Sequence, residues 1–515
     1  MRDTTFISHL FLALGTADGP GLTYLNGLIG HHSKNGCRLY CGVIKLDART
    51  ITQPTRGPLT ISLKVVRIQT LMSGTFPQAL QRSTGETWCM FLCRLDTGIA
   101  KPSMFLGFSA DHTFGIPKCF GSDIMHLISL NIPDLLIPLW RGTFECNADD
   151  DKSTWTWAVL TGNIWKDFGK AVAATTPHLP GFFDRPPHNP AKKINSGYKA
   201  WEFTLLLYGI GPLVLHNVLP LPYWQHFCKL VRAVCIISQH NITREELQVA
   251  ARLFVEFIEE FEELYYQCRL EQIHFWTMER TIGNLVMCHS SRSTQRIDDY
   301  DPDYNKLLYP RWLKDLGGGY ALLKLQECCR HDATFAESLE IKAFLDTYYP
   351  HSPEHAFFDP HMCFRVCRWA RLRLPNGQTC RSVFSQRETQ ANARHARNVK
   401  LSIAGVLYFA EVLFFFEIRM HPDIHDLEPL ALITIYSPPD RALLQDLSNT
   451  FYTCTHHGEA GLRVVRVPSI QSIVAMVPHM LVGEERFYMF EKPGMDLANL
   501  GGILWDEDED DNQLI

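Results

Sequence analysis

A carboxylate lies near the start of the chain in a position that suits metal binding. Asp18 follows a nearly continuous apolar run, Phe6 to Leu14, which is typical of a strand buried on both faces. A carboxylate just beyond the end of such a strand can point into a cleft and bind a divalent metal. Because Asp before Gly is also a common turn pair, a role in the Gly19–Pro20 turn stays open.

Four nitrogen and sulfur ligands follow Asp18 at short spacing. They are His31, His32, Cys37 and Cys41. Imidazole and thiolate groups are the usual ligands of Zn²⁺. Cys37 and Cys41 are separated by three residues, whereas zinc sites more commonly have two residues between paired cysteines. The spacing therefore leaves two interpretations open, a zinc site or two buried thiols beside two surface histidines.

Asp123 and His126 form a second pair of residues that could bind a ligand. On a helix, residues three apart share one face, so the carboxylate and the imidazole can meet one ligand or each other. The pair is therefore either a structural or metal-binding motif or a helical hydrogen bond with no further role.

Four blocks of sequence, in order, resemble one known family. They are DGPGLTYLNGLIGHHSKNGCRLYC (Asp18 to Cys41), CFGSDIMHLISLNIPDLLIPLWRGT (Cys119 to Thr143), NPAKKINSGYKAWEF (Asn189 to Phe203) and WTMERTIGNL (Trp276 to Leu285). In these blocks the chain resembles the Plavaka transposases of fungal mobile elements, which are related to the Kyakuja-Dileera-Zisupton group. The resemblance covers most of the chain and weakens between about residues 287 and 360.

The resemblance implies an RNase H-like catalytic core that cuts and joins DNA with acidic residues and Mg²⁺ or Mn²⁺. It implies that Asp18 is the second acid of the site and Glu279 the third, and that both bind the divalent metal. On the residues alone, Glu279 would be a surface glutamate paired with Arg280. The resemblance also suggests that His126 joins Cys37 and Cys41 around a possible Zn²⁺ ion.

The first acid of such a site is expected on a strand well before Asp18, yet only 17 residues precede Asp18 here. We therefore expect an N-terminally truncated DDE-type transposase fragment that does not nick DNA with Mg²⁺ or Mn²⁺. Two functions of other classes stay open. One is a non-catalytic DNA- or protein-binding remnant, and the other is a zinc-stabilised scaffold.

Composition limits the protein class. The chain has 515 residues, 46% of them hydrophobic, which is enough for more than one domain. Its sixteen scattered cysteines favour reduced thiols over a disulfide framework. We expect neither a membrane span nor a secreted protein, and the resemblance implies the nucleus. Because the net charge is −6, contact with DNA must depend on local basic patches.

These side chains need a mixed α/β frame to bring them together. We predict a partial RNase H-like core over 1–290 with a large helical insertion at about 119–270. A helical connector over 291–358, a β-rich C-terminal domain over 359–500 and an acidic disordered tail over 501–515 follow. Within the connector, Lys324 to Tyr349 is predicted to form one or two helices.

The strongest helix signal lies between Thr243 and Leu270. Thr243 and Glu246 form a capping-box pattern, and apolar residues then repeat every three or four positions. This pattern predicts a long amphipathic helix that packs through one stripe. A second, shorter helix is predicted over Trp155 to Ala174.

Short strands and basic residues characterise the C-terminal third. Predicted strands are Val366–Leu374, Gly405–Glu417, Leu430–Tyr436, Gly461–Val467 and Arg486–Glu491. Between residues 365 and 400, nine Arg or Lys residues face a single acid, Glu388. This segment is the best candidate for DNA phosphate contact, and a solvated strand face is the alternative. The candidates are Arg368, Arg371, Arg373, Arg394 and Arg397.

Overall fold

Just over half of the chain is described by the computed structural model. The described residues are 15–16, 19–26, 103, 105, 112, 120–121, 123–145, 151–183, 185–239, 242–267, 313–325, 330–349, 363–386, 394–419, 427–481 and 483–492. The predictions for the strand Phe6 to Leu14 and for the acidic tail lie outside these residues.

The chain divides into two compact units. The first comprises Met1–Pro138, Phe144–Lys152 and Phe254–Ser293. The second comprises Leu139–Thr143, Ser153–Leu253 and Thr294–Ile515. The helical segment 153–253 therefore groups with the C-terminal strands.

The first unit contains a small parallel strand pair and helices that follow each strand. Its elements are β1 (Gly15–Thr16), α1 (Gly19–Asn26), β2 (Phe120–Gly121), α2 (Ile124–His126) and most of α3 (Ile132–Trp140), whose residues from Leu139 onward belong to the second unit. A π-helical turn, Leu127–Asn131, connects α2 directly to α3. Ile132 and Leu136 are fully buried, so α3 packs through an apolar face.

The second unit begins with a helical segment. Its helices are α4 (Gly162–Ala174), α5 (Pro190–Lys193), α6 (Ala200–Thr204), α7 (Gly211–Val214), α8 (Leu221–Ile237) and α9 (Arg244–Phe261), the last of which continues beyond this unit. A π-helical stretch, Leu205–Ile210, connects α6 to α7.

The predicted long helix is confirmed as α9 and a π-turn that ends at Tyr266. Thr243 donates its backbone N–H to Glu246 Oε2 at 2.8 Å, and Glu246 donates its own to Thr243 Oγ1 at 3.1 Å. The capping box therefore forms as expected. The shorter helix is confirmed only from Gly162 onward, because Trp155 to Thr161 forms turns.

The rest of the described second unit is mostly β. Its strands are β3 (Lys314–Gly317), β4 (Tyr320–Leu325), β5 (His331–Asp332), β6 (Arg365–Val366), β7 (Trp369–Arg373), β8 (Thr379–Arg381), β9 (Asn398–Ile403), β10 (Val406–Arg419), β11 (Leu427–Ile435), β12 (Tyr452–Cys454), β13 (Leu462–Arg466), β14 (Ile470–Ile473), β15 (Ala475–Leu481) and β16 (Glu484–Phe490). Four of the five predicted strands are confirmed as β10, β11, β13 and β16, whereas the segment Val366–Leu374 is divided between β6 and β7, which lie in different sheets. The fold is thus mixed α/β with a mostly-β C-terminal region, and the RNase H-like core stays a prediction.

A nine-stranded antiparallel sheet organises this region. Its main order is β13-β11-β10-β7-β4-β3, with β8 paired to β7, β9 paired to β10, and β14 paired to β9. The long strand β10 carries apolar side chains on both faces. Phe415 lies in one core with Leu372 and Ile433, whereas Phe414 and Phe416 lie in another core beneath helix α10 (Phe335–Tyr348).

The prediction of a helical connector is wrong for residues 314–325, which form β3 and β4 of the large sheet. Among the connector residues that the structure describes, Phe335–Tyr348 is helical. The turn between these strands contains Gly317, Gly318 and Gly319, all with positive φ. Glycine adopts this backbone conformation without steric cost, so the three residues reverse the chain and pair the strands.

Aromatic side chains join the helical segment to the strands of the second unit. Phe451 is fully buried, and its ring lies 5.2 Å from that of Trp224 on α8 and 5.1 Å from that of Tyr488 on β16. Tyr488 Oη donates a buried hydrogen bond to the carbonyl of Gly209 at 3.0 Å. A Cβ at Gly209 would lie 2.9 Å from the ring of Phe490, so glycine permits this close approach.

No helix in the described part of the chain is both long and apolar enough to cross a bilayer.

Candidate functional site

The parallel strands β1 and β2 each come shortly before an acidic residue in the sequence. Gly15 pairs with Phe120, and Thr16 pairs with Gly121. Because the strands are parallel, their carboxyl ends meet at the same edge, where open α/β sheets usually bind ligands. In the sequence, Asp18 comes two residues after Thr16, and Asp123 comes two residues after Gly121. Asp18 itself lies outside the described residues.

The Asp123–His126 pair caps the helix that follows β2. Asp123 Oδ1 accepts the backbone N–H of His126 at 3.1 Å, and its Oδ2 lies 2.7 Å from His126 Nδ1. Of the two interpretations of this pair, the structure therefore shows the hydrogen bond between Asp123 and His126. With Nδ1 held by the carboxylate, Nε2 is the ring nitrogen left for a metal. A carboxylate bound to the other ring nitrogen is the usual arrangement behind a metal-ligating histidine.

A hydrogen bond connects α1 with a distant segment of the first unit. Ser103 is buried, and its Oγ donates to the carbonyl of Leu25 at 2.8 Å. Leu25, which belongs to the Asp18-to-Cys41 block, therefore contacts a residue 78 positions away.

The remaining predicted metal ligands are not among the described residues. Asp18, Glu279, Cys37 and Cys41 all fall outside them, as do His31 and His32. Among the residues that the structure does describe, no group of three or more His, Cys, Asp or Glu side chains is arranged to hold a metal. The magnesium and zinc predictions therefore stay predictions, and His126 is the one proposed ligand whose surroundings are seen.

A buried carboxylate organises the third matched block. Glu202 on α6 is 2% exposed. Its Oε1 accepts the backbone N–H of His188 at 3.0 Å and lies 2.7 Å from His188 Nδ1, and its Oε2 accepts the N–H of Lys199 at 2.9 Å. Tyr198 Oη donates to the carbonyl of His188 at 3.0 Å. Burial and the nearby Glu202 charge raise the pKa of Tyr198, so its phenol stays protonated.

The five arginines predicted to bind DNA all interact with other groups of the protein. Arg371 and Arg373 lie on β7. Arg368 stacks on the ring of Phe414 with its guanidinium carbon 4.7 Å from the centroid. Arg394 donates to the carbonyls of Leu179 and Pro180 at 2.8 and 2.5 Å. These contacts stabilise the fold, and DNA contact by any of the five stays a prediction.

Arg397 belongs to a cluster of charged and titratable groups between β9, β10 and the helical segment. Its Nε lies 2.6 Å from Glu411 Oε1, and His456 Nε2 lies 3.4 Å from Glu411 Oε2. Burial raises the pKa of Glu411, but the neighbouring His456 and the charge of Arg397 outweigh it, so the pKa is lowered overall. The carboxylate therefore stays ionised as part of a partly buried ion pair.

Two histidines of this cluster resist protonation. The ring centroids of His178 and His395 are 5.4 Å apart, and His395 donates its backbone N–H to the carbonyl of Pro177 at 2.8 Å. Burial, the charge of Arg397 and the neighbouring His178 lower the pKa of His395 to about 4, although Glu411 opposes this shift. Burial and Arg397 also lower the pKa of His178.

We expect the free energy of unfolding to fall as the pH drops from 6.5 toward 4, because the unfolded chain binds a proton at residue 395 before the folded chain does. Because His395 is partly exposed, its contribution should be about 1–2 kcal/mol. Urea denaturation at pH 7 and pH 4.5 measures it. His395→Gln should remove part of this pH dependence, and His457→Gln, at an exposed position, should not. An unchanged pH dependence in His395→Gln would show that this histidine is not the cause.

Sequence reasoning missed Glu202 and Glu411 as organising residues. Glu411 carried a signal, because a charged residue within the apolar run of β10 needs a partner once it is buried. The sequence indication for Glu202 was weaker, because its main partner, His188, is 14 residues away and no local pattern joins the two.

The buried cysteines of the second unit carry no sign of reactivity. Burial raises the pKa of Cys235 to about 11 and that of Cys454 to about 12. Burial also raises the pKa values of Cys228 and Cys380. Thiols of this kind are inert, because the thiolate is the nucleophile and the metal ligand.

Comparison with known proteins does not assign a function, so any proposal depends on the residues described above. No family model, no curated protein and no solved structure matches the chain.

Proposed function

We propose that this chain contributes Asp18 and Glu279 to a divalent-metal centre of a transposase-type enzyme that cuts and joins DNA. In such a centre, carboxylates hold Mg²⁺ or Mn²⁺ ions that activate the attacking oxygen and stabilise the leaving oxygen. The proposal implies DNA as partner and the nucleus as the place of action. It rests on the sequence resemblance and on one structural observation.

That observation is the parallel pairing of β1 with β2. A parallel pair followed on each side by a helix is the part of an α/β sheet where a carboxylate after the strand meets a ligand at the sheet edge. Asp18 occupies this position in the sequence, directly before α1. The same compact unit includes the end of α9, and Glu279 follows that helix in the chain. The π-turn after His126 adds support, because such turns are frequent at functional sites.

Mn²⁺ binding to the full chain tests the proposal. Isothermal titration should detect a Mn²⁺ site that Mg²⁺ competes for, and Asp18→Ala should weaken it by about tenfold or more. Asp151→Ala, which removes an exposed carboxylate from the same unit, serves as the matched control and should bind Mn²⁺ like the unaltered chain. If Asp18→Ala and Asp151→Ala bind Mn²⁺ equally well, the proposed metal centre is wrong.

A zinc-stabilised scaffold is the second candidate, favoured by the Asp123–His126 hydrogen bond. Zinc content by elemental analysis distinguishes it. One equivalent of zinc that is lost in both Cys37→Ser and His126→Ala would support a shared zinc site, and zinc-free protein would exclude it.

A further inference from the structure

Three exposed lysines surround the hydrogen-bond network of Glu202 in the helical segment. We call them the lysine patch, and they are Lys192 and Lys193 on α5 and Lys199, which directly precedes α6. Residues 185–201 contain two further exposed basic side chains and no Asp or Glu. Because the whole chain has a net charge of −6, this segment is a local concentration of positive charge.

Backbone hydrogen bonds bring the members of the patch around one point. The N–H groups of the two lysines on α5 both donate to the carbonyl of Asn189, each at 3.1 Å. The N–H of Lys199 and that of His188, the residue before Asn189, donate to the two oxygens of the Glu202 carboxylate. The patch is therefore compact, although it spans two helices.

Buried groups fix this arrangement. Glu202 and Tyr198 are 2% and 8% exposed, and Tyr198 Oη donates to the carbonyl of His188 at 3.0 Å. A Cβ at Gly169 on α4 would lie 2.8 Å from that of Ala191 on α5, so glycine lets these two helices approach closely. The backbone of the patch is therefore supported by packed elements on both sides, as a precise binding surface requires.

The positive charges of the patch are available to a ligand. Within the part of the chain that the structure describes, its three lysines form no ion pair. On the neighbouring helix α4, by contrast, Lys170 pairs with Asp167 at 2.8 Å. The carboxylate of Glu202 is buried and already accepts three hydrogen bonds. A bound anion would therefore meet lysines whose charges are not offset by these acids.

Phosphate is an anion that suits this surface, because lysine binds it as a point charge. The turn between Lys193 and Lys199 contains the small polar residues Asn195, Ser196 and Gly197, which are all exposed. Gly197 has a φ of +95°, and no atom lies within 4 Å of the place where its Cβ would be. Bulky phosphate groups can therefore approach the turn, and three separate charges match the repeated phosphates of a polynucleotide.

We propose that the lysine patch binds the phosphate backbone of nucleic acid without reading its sequence. Phosphate contacts position a protein on nucleic acid but carry no direct sequence information. The choice of nucleic acid over other polyanions rests on the proposed DNA-processing function. The proposal places a DNA contact on the helical segment, away from the five arginines predicted from the sequence, which all interact with other groups of the protein.

Fluorescence anisotropy of the full chain with a labelled DNA duplex of arbitrary sequence tests the patch. Measurements at several salt concentrations, in EDTA, keep the metal centre out of the assay. A variant with Lys192→Gln, Lys193→Gln and Lys199→Gln should bind at least about tenfold more weakly near 0.1 M salt. The slope of log K against log salt should also become less steep by about two to three, because three phosphate contacts are lost.

The matched control removes three exposed arginines from separate positions in the second unit. They are Arg244, Arg330 and Arg441. Their combined replacement by glutamine causes the same change in net charge but should retain the salt slope of the unaltered chain. Replacing the three lysines of the patch with arginine should also retain the slope, because the charges persist.

Four results would overturn the assignment. They are no binding of the duplex by the unaltered chain at about 0.05 M salt, an unchanged slope in the lysine-to-glutamine variant, an equal loss in the arginine control, and displacement of the duplex by polyglutamate at equal charge concentration. Circular dichroism of each variant confirms that it is folded. Because the assay contains no divalent metal, a failure of the Asp18 centre leaves this result unaffected, and a failure of the patch leaves Mn²⁺ binding unaffected.

Discussion

Phe451→Ala is expected to lower the free energy of unfolding by about 3–5 kcal/mol, the range for removing a large, fully buried aromatic side chain. The ring of Phe451 contacts Trp224 in the helical segment and Tyr488 in the β region, so its removal leaves a cavity between the two. Urea denaturation monitored by tryptophan fluorescence measures the loss. Phe335→Ala makes the same change at a 62% exposed position and should cost no more than about 0.5 kcal/mol.

This variant also tests whether residues 153–253 belong with the C-terminal strands, as the division into compact units shows. If they unfold together, native-state hydrogen exchange in Phe451→Ala should accelerate in both α8 and β16. Faster exchange in only one of them would mean that the helical segment and the strands are separately stable.

Glu202→Gln is expected to lower the free energy of unfolding by about 2–4 kcal/mol, because Glu202 is buried and accepts three hydrogen bonds. Glutamine has a single acceptor oxygen, and its amide group would face N–H donors. Thermal and urea denaturation measure the loss.

Glu337→Gln is the matched control for Glu202→Gln. Glu337 also occupies the third position of a helix and accepts one backbone N–H, from Thr334 at 2.8 Å, but it is only partly buried and this hydrogen bond is exposed to solvent. Its replacement should cost about 0.5–1 kcal/mol. Equal losses at the two positions would show that the network around Glu202 contributes no more than an ordinary helix cap.

The elements with local signals were predictable from the sequence. Helix α9 was found from the Thr243–Glu246 cap and its apolar period, and the capping bonds form as expected. The C-terminal strands were found because alternation and turn residues mark each one. Strand β4 was missed because its leucines suit a helix equally well, so its strand form depends on the glycine turn and on pairing with β7.

The side-chain contacts of the sites were harder to predict, because they join distant positions. The pairing of Arg397 with Glu411 depends on the β9–β10 hairpin, in which Asn398 lies opposite Glu411. The register shift in β4 that sets Lys324 opposite Arg371 could not be predicted from a sequence pattern. By contrast, the Asp123–His126 contact was foreseen as one alternative, because the two residues are only three apart, and Asp123 reaches His126 as the N-cap of α2.

A double-mutant cycle on Mn²⁺ affinity tests most directly whether Asp18 and Glu279 serve one metal centre. Titrations of Asp18→Ala, Glu279→Ala and the variant with both changes supply the cycle. If both carboxylates hold the same ion, each single change removes most of the affinity, and the combined change weakens binding little further. Losses that multiply in the combined variant, or a Glu279→Ala protein that binds Mn²⁺ normally, would contradict a shared centre.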